Sequence, residues 1–286
     1  MTRTWFITGS SSGLGYELTK SLLERGERVA ATLRKPAALA QLKQRFGERL
    51  WVETLDVRNA SDIRRTVAKA FDELGRIDVV ISNAGFGVLG AAEEASDEQI
   101  QAIVATNIVG SVQLARAVIP HMRDQGGGVF MQVSSMGGHF GSPGFSLYQM
   151  TKWAVEGFFE ALAGEIDMFE IKTILAEPGA LKTPFYESAQ YAEPLAVYSA
   201  HTVLASLRQP DTSAVTGDVT KCASAMIEAA LLDDPPKRLL LGSDAYRYVC
   251  HALAGRLADF ESQKDGASAI DFEPSSGLSR ASGAGD

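Results

Sequence analysis

The chain has 286 residues, of which 45% are apolar and 22% charged, and its formal net charge is −8. This apolar share is ordinary for a packed protein and excludes wholesale disorder, and the acidic balance disfavours a uniformly basic nucleic-acid-binding protein. The two cysteines, Cys222 and Cys250, lack metal-ligand spacing and predict reduced thiols. We find no apolar run near the ~18 residues of a membrane span and no signal-peptide pattern, so we expect a cytoplasmic protein.

Seven short apolar runs alternate with longer helical patterns. Helical spacing relates Leu14, Leu18 and Leu22 after the first run, and Gly26 ends that helix. The alternation predicts an α/β fold, a doubly wound Rossmann-type parallel sheet of about seven strands with helices on both faces. The predicted strands are residues 5–8, 28–33, 50–55, 78–82, 129–134, 171–176 and 238–241.

Two further helices are predicted in the middle of the chain. A capping box runs from Ser96 to Gln99 and precedes apolar residues at helical spacing. The second helix is predicted over about residues 148–168, where large apolar side chains recur on one side.

Two segments interrupt this rhythm. Residues 184–236 are poorly periodic and rich in proline, which predicts an insertion that covers a substrate beside the carboxyl ends of the strands. Residues 265–286 are mostly Gly, Ala, Ser and Asp and predict a disordered tail. The remainder, residues 1–264, is interpreted as a single domain.

Glycine-rich loops follow two of the predicted strands. The first, residues 8–15, reads TGSSSGLG; its Gly9, Gly13 and Gly15 permit a tight turn, and the next helix offers unpaired N–H groups to a phosphate. A literal GxGxxG occurs at residues 85–90, but no helix is predicted to start there and no acidic residue follows at the ribose-binding distance. We interpret this second motif as a loop.

Four polar residues are candidates for catalysis. Tyr148 and Lys152 share one helical face, where an ammonium favours phenolate and would lower the tyrosine pKa from its usual ~10. Ser135 lies just beyond a strand end, where its hydroxyl could hold a carbonyl oxygen. Asn107 is polar within an apolar helix. Taken alone, the tyrosine–lysine pair could be an ordinary pair on a helix surface. Taken alone, the asparagine could be an amide that faces solvent or is hydrogen-bonded locally.

Together these motifs resemble the short-chain dehydrogenase/reductase family, ordinary rather than extended branch. The motifs occur in family order over roughly residues 4–183. They are the TGxxxGxG turn, the Asn83-Ala84-Gly85 segment, Asn107, Ser135, the YxxxK pair, and Pro178-Gly179 followed by Thr183.

The resemblance implies a role for each matched residue. Tyr148 would be the acid/base, Lys152 would lower its pKa and bind the nicotinamide ribose, and Ser135 would orient the substrate oxygen. Asn107 would hold the lysine through a water in a proton relay. The implied cofactor-binding residues are Gly9, Ser11, Ser12, Gly13, Leu14, Gly15, Arg34, Asp56 (at the adenine), Val57, Asn83, Ala84, Gly85, Tyr148, Lys152, Pro178, Gly179 and Thr183.

The end of the second strand bears on cofactor choice. An acidic residue there would bind a ribose 2′-hydroxyl and select NAD, but this strand ends in Leu33-Arg34-Lys35. We therefore predict NADP(H), with Arg34 on the 2′-phosphate and Ser12 assisting. The alternative is that Arg34 and Lys35 are ordinary surface charges.

The predicted activity is hydride transfer that interconverts a carbonyl and a secondary alcohol. Four aromatic residues of the predicted cover suggest an apolar substrate but fit lid packing equally well; they are Phe185, Tyr186, Tyr191 and Tyr198. The alternative function is a catalytically silent NADP(H)-sensing protein on the same fold. The resemblance also implies a homodimer or homotetramer, and no metal, nucleic-acid or membrane partner is expected.

Overall fold

The computed structural model describes residues 2–207, 210, 213, 215–270 and 272, and seven parallel strands form its central sheet. The strand order is β3-β2-β1-β4-β6-β7-β9, with every neighbouring pair parallel. All seven predicted strands are confirmed, with ends within two residues of the prediction. The strands are β1 (Thr4–Thr8), β2 (Arg28–Leu33), β3 (Leu50–Thr54), β4 (Val79–Ser82), β6 (Gly128–Val133), β7 (Ile171–Pro178) and β9 (Arg238–Leu241), and a separate pair joins β5 (Val88–Leu89) to β8 (Gln190–Tyr191).

Helices cover both faces of this sheet, so the doubly wound architecture is confirmed. Helices α1 and α9 pack on one face, while α3, α5 and α6 pack on the other. The helices are α1 (Gly13–Glu24), α2 (Ala40–Phe46), α3 (Ala60–Leu74), α4 (Asp97–Ile103), α5 (Gly110–Asp124), α6 (Ser146–Ile166), α7 (Phe185–Ser188), α8 (Thr202–Leu207), α9 (Val219–Ala230), α10 (Ser243–Glu261) and α11 (Lys264–Ser268).

The core explains why the strands are almost continuously apolar. Along β1, Trp5 and Ile7 belong to one hydrophobic cluster and Phe6 to the other, because successive side chains point to opposite faces of a sheet. On the second face, Phe130 of β6 stacks on Phe159 of α6 with ring centroids 5.3 Å apart. Truncation of such a buried aromatic side chain to alanine costs about 3–5 kcal/mol of stability.

A single long helical segment, Asp97–Asp124, combines α4, a π-helical stretch (Val104–Val109) and α5. It begins at the predicted capping box, where Ser96 accepts from the Gln99 backbone and Gln99 accepts in return. By length and composition it passes a test for membrane-spanning helices, which the sequence reading did not anticipate. In this fold, however, its residues Leu114 and Val118 are fully buried in the hydrophobic core, so one face of the segment packs against the sheet.

The predicted cover, residues 184–236, is too long. Residues 219–230 form α9, a regular helix whose Cys222, Met226 and Ile227 are buried against α1 and the sheet. Its many alanines concealed the helical pattern. The irregular cover is therefore confined to about residues 184–218.

The predicted disordered tail, residues 265–286, also needs correction at its start. Helix α11 extends to Ser268, so residues 265–268 are helical. Residues 273–286 lie outside the described residues.

Candidate active site

A cleft of about 530 Å³ lies at the carboxyl ends of the central strands, where open α/β sheets place their ligands. It is lined by every predicted site residue except Asn107. Those residues are Gly9, Ser11, Ser12, Gly13, Leu14, Gly15, Arg34, Asp56, Val57, Asn83, Ala84, Gly85, Ser135, Tyr148, Lys152, Pro178, Gly179 and Thr183.

The first glycine turn has the geometry of a phosphate cradle. Gly13 adopts a φ of 55°, in the left-handed region that favours glycine, and opens α1. A Cβ atom on Gly15 would lie 2.4 Å from the Gly9 carbonyl oxygen, so the helix can approach the turn only with glycine there. The Ser12 side chain makes no capping hydrogen bond to α1. The first N–H groups of α1 therefore suit an anion in the cleft.

Asn83 ties this turn to the loop after β4. Its side-chain amide donates to the carbonyl oxygens of Thr8 (2.9 Å) and Gly9 (3.2 Å). In return, the Thr8 hydroxyl accepts from the backbone N–H groups of Asn83 and Ala84. The amide of Asn83 is thus a structural clamp, and the backbone of this loop lines the predicted adenosine side.

Two arginines and one carboxylate line the cleft beyond β2 and β3. Arg34 follows β2, and Arg58 forms an ion pair of 2.6 Å with Asp56. The hydrogen bonds from Arg58 hold the pKa of the Asp56 carboxyl below its usual range. Sequence reasoning missed Arg58, because only the ion pair shows that it shares the cleft.

The catalytic candidates meet in the middle of the cleft. Lys152 lies one helical turn beyond Tyr148 on α6, with its Nζ atom 5.5 Å from the centroid of the phenol ring. That ammonium donates to the carbonyl oxygen of Val133 at 3.0 Å. The Ser135 side chain accepts from the Gly137 N–H at 3.1 Å and hydrogen-bonds Tyr148. The structure therefore brings together three of the four predicted catalytic residues.

The direction of the tyrosine pKa shift is opposite to the prediction. Burial raises the pKa of Tyr148 to about 12, and the hydrogen bond with Ser135 opposes this only in part. Burial also lowers the pKa of Lys152 to about 8, which the nearby Glu156 carboxylate opposes. The net shift of the tyrosine pKa is upward because burial of the phenol dominates, and the lowering expected from Lys152 itself stays a prediction.

Asn107 sits behind the cleft within the π-helical stretch. Its Oδ1 atom accepts from the Phe86 N–H at 3.1 Å, and its Nδ2 atom donates to the Phe86 carbonyl (2.9 Å) and to the Thr151 hydroxyl (3.0 Å). The amide therefore fixes the loop after β4 against α6. Its support of Lys152 through a water stays a prediction.

The four aromatic residues of the cover divide into two pairs. Phe185 and Tyr186 line the cleft, and the Phe185 ring meets Tyr148 edge-on with centroids 5.3 Å apart. Tyr191 and Tyr198 lie outside it, with their hydroxyls on the Tyr186 carbonyl and on Glu93. Phe185 and Tyr186 are thus placed where they could contact a substrate, Tyr191 and Tyr198 fit lid packing, and the apolar substrate stays a prediction.

The cleft also has apolar lining residues that were missed from the sequence. They come from separate segments of the chain and carry no common sequence signal. The additional apolar residues are Phe86, Met136, Phe140, Phe145 and Leu181.

Comparison with known proteins identifies the family. The family model for short chain dehydrogenases matches residues 3–194, and the chain belongs to this family. An oxidoreductase of Botryotinia fuckeliana (BOA17) is 39% identical over 269 residues, which cover 93% of this chain and 96% of the relative. A 3-ketodihydrosphingosine reductase of Bacteroides thetaiotaomicron is 38% identical over 187 residues, covering 65% and 67% of the two chains.

Solved structures agree with this family and fold. A short-chain dehydrogenase from Streptomyces avermitilis superposes with a TM-score of 0.88 and 32% identity, covering 95% of this chain and all of the other. Another, from Burkholderia phymatum in complex with NAD, has a TM-score of 0.78 at 20% identity, covering 97% and 98% of the chains. A serine dehydrogenase complexed with NADP+ has a TM-score of 0.72 at 25% identity, covering 82% and 93%. The chain is thus an oxidoreductase of this family, and the cradle at Gly13 and Gly15 fits a nicotinamide dinucleotide.

Proposed function

We propose that this protein reduces a carbonyl on a small apolar molecule to a secondary alcohol with NADPH, and catalyses the reverse oxidation with NADP+. The observation that carries the proposal is the meeting of the Tyr148 phenol, the Ser135 hydroxyl and the Lys152 ammonium in one cleft. A proton donor and a hydrogen-bond donor side by side suit an oxygen that becomes negatively charged during the reaction.

The reduced nicotinamide would supply a hydride to the carbonyl carbon. Tyr148, whose high pKa keeps the phenol protonated at neutral pH, would donate its proton to the carbonyl oxygen. Ser135 would hydrogen-bond the same oxygen. Lys152 would stabilise the resulting phenolate with its ammonium and bind the nicotinamide ribose.

The preference for NADP(H) rests on charge at the ribose end of the cleft. Arg34 and Arg58 both line it, and Asp56 is neutralised by its ion pair with Arg58. The guanidinium of Arg34 suits a 2′-phosphate, to which arginine binds as a bidentate donor.

The apolar substrate is supported by the aromatic wall formed by Phe86, Phe140, Phe145 and Phe185. The relative from Bacteroides thetaiotaomicron is named as a reductase of 3-ketodihydrosphingosine, a ketone on a long apolar chain. We accordingly propose a ketone flanked by apolar or aromatic groups.

The test is turnover of a panel of aryl and long-chain alkyl ketones, followed by NADPH absorbance, in the wild type and in Tyr148→Phe. We expect Tyr148→Phe to lose at least about 1,000-fold in kcat, because the proton donor is removed. Its dissociation constant for NADPH should stay within about twofold, since the ring is retained.

Retained turnover in Tyr148→Phe would contradict the assigned role. NADPH binding without turnover of any ketone in the wild type would instead support the alternative, a cofactor-sensing protein without catalytic activity.

A further inference from the structure

Four ionisable side chains, three buried and one partly exposed, form a cluster that begins one helical turn beyond Lys152. They come from four different elements and are His139 in the loop after β6, Glu156 on α6, Glu177 on β7 and Arg238 on β9. Both carboxylates are buried, with the Glu177 side chain only 2% exposed. The proposed reaction uses none of the four.

Arg238 holds this cluster together. Its Nη2 atom lies 3.0 Å from Glu156 Oε2, and its Nε atom lies 3.3 Å from Glu177 Oε1. On the other side of Glu177, His139 Nε2 lies 3.0 Å from Oε2. The cluster therefore joins the last two strands to the loop that carries Ser135 and to the helix that carries Lys152.

Glu156 is the member that shares a helix with the catalytic candidates Tyr148 and Lys152. It follows Lys152 by four residues, so both side chains lie on the same face of α6. Its carboxylate acts on Lys152 electrostatically and favours the ammonium form. A Cβ atom on Gly138 would lie 2.8 Å from Glu156 Cγ, so the carboxylate is enclosed on the loop side as well.

Burial of two carboxylates costs free energy unless cations compensate their charge. The presence of Glu156 and Glu177 in this cluster therefore requires an explanation. Ligand atoms of His139, Glu156 and Glu177 lie within 4.8 Å of one another, as in a metal site. Arg238, however, already contacts both carboxylates and supplies one positive charge to them without a metal ion. The geometry therefore favours the Arg238 guanidinium over a metal ion as the cation of this cluster, and the cluster as a support for a neighbouring active-site residue.

We propose that Glu156, held by Arg238, is a positioning residue that keeps Lys152 as an ammonium directed at the Val133 carbonyl. Glu177 contacts Arg238 and His139 contacts Glu177, so β9 is connected to the active site through these side chains. This inference rests on the proposed function, because the reaction assigned to Tyr148 needs the lysine charged.

Several ionisable groups face this region from the elements packed around it, and all bear on its pH dependence. Helix α6 contributes Tyr148, and the cover contributes Tyr186. The remaining groups are His139 from the loop after β6, Glu177 from β7, Arg238 from β9 and Arg256 from α10, whose guanidinium donates to the His139 carbonyl.

The chain supplies a matched control in Glu160. It lies one turn further along α6 and pairs with the same Arg238 at 3.1 Å, but its side chain is 69% exposed. The variants Glu156→Gln and Glu160→Gln therefore remove the same charge from the same helix and the same partner. Arg238 keeps two carboxylate partners in either variant.

The experiment measures kcat and kcat/KM for NADPH-dependent ketone reduction between about pH 6 and about pH 10 in the wild type and both variants. In Glu156→Gln we expect the alkaline limb to move down by about one pH unit, with kcat reduced about 5- to 10-fold at pH 8, because the ammonium loses its counter-charge. Glu160→Gln should superpose on the wild type. The dissociation constant for NADPH, measured by fluorescence over the same pH range, should show the same shift without requiring turnover.

Equal profiles for Glu156→Gln and the wild type would overturn the proposal, as would an equal shift in Glu160→Gln. If Glu156→Gln does not fold, Glu156→Asp replaces it: the retained charge should leave the limb within about 0.3 pH units of the wild type, and a full one-unit shift would refute the role of the charge. Binding of one zinc or manganese ion per chain to the wild type but not to His139→Ala would overturn the proposal and would indicate a metal site instead. If NADPH binding shows the expected pH shift between the wild type and Glu156→Gln but the wild type reduces no ketone, the proposed function is refuted and the role of Glu156 in positioning Lys152 still stands.

Discussion

The two sides of the cleft are built differently. On the cofactor side, close glycine contacts and hydrogen bonds from a short polar side chain fix the loops, as where the Asn83 amide donates to the carbonyl oxygens of Thr8 and Gly9. On the substrate side, the cover is held by the two-residue pairing of β5 with β8 and by contacts of single side chains, such as Tyr198 on Glu93 and Leu204 beside Gly144.

This difference predicts how much substitution each side tolerates. A cradle built on close glycine contacts leaves room for few residue types at each position, and its helix N-terminus suits one kind of group, a phosphate. A cover held by single side chains can change its apolar residues without disturbing the sheet, so we expect substrate selectivity to depend on it.

The largest effect is expected from Gly15→Ala on the cofactor side. The added Cβ atom would lie 2.4 Å from the Gly9 carbonyl and from Asn83 Nδ2, so the turn or α1 must shift. We expect the dissociation constant for NADPH, measured by fluorescence, to rise at least about 100-fold. The control is Gly157→Ala on α6, where a Cβ meets nothing within 4 Å; it should raise stability by about 0.5–1 kcal/mol.

The next effect concerns the ribose end. Arg34→Asp should lower kcat/KM with NADPH about 100-fold, because a carboxylate repels the 2′-phosphate and accepts from a 2′-hydroxyl. Lys35, which does not line the cleft, provides the control Lys35→Asp, for which we expect less than a threefold change. Wild-type efficiency with NADH equal to that with NADPH would refute the predicted preference.

On the substrate side, Phe185→Ala should separate the two halves of the cleft. We expect the KM for the ketone to rise about 10-fold while the dissociation constant for NADPH changes less than about threefold, since the lost ring contacts Tyr148 and the substrate wall. Tyr198→Phe, which removes only an exposed hydrogen bond to Glu93, is the matched control. Comparable losses in both variants would show that the cover acts only through its overall packing.

The smallest effect is a change in stability with pH. Lys152 has a folded-state pKa of about 8, below its ordinary value of 10.5, so between these values the unfolded chain binds more protons. The contribution of this group to the free energy of unfolding should therefore rise with pH, by up to about 1.4 kcal/mol per unit. Lys152→Met should lose that rise, which urea denaturation at several pH values can measure. An unchanged slope in this variant would contradict the assignment.

The sequence predicted the sheet well because its inner strands are buried on both faces and therefore read as continuous apolar runs, whereas the edge strands β3 and β9 are only partly buried. It failed at α9, whose alanine-rich sequence has little contrast between its faces although Met226 and Ile227 pack into the core. Because α9 was not recognised, the sequence analysis also placed the end of the cover too late in the chain. Contacts such as the stacking of His121 on Phe71, with ring centroids 4.6 Å apart, join residues far apart in the chain and have no local sequence signal.

Motif spacing also predicted the members of the site, because glycine turns and a four-residue helical repeat are local features. Only the tertiary structure decided the environment of those members. It raised the pKa of Tyr148 by burial, turned the Asn107 amide toward Phe86, and placed Arg238 behind Lys152 through Glu156. Local spacing fixes which side chains share a turn or a helical face, whereas burial and charge at a site depend on elements far apart in the chain.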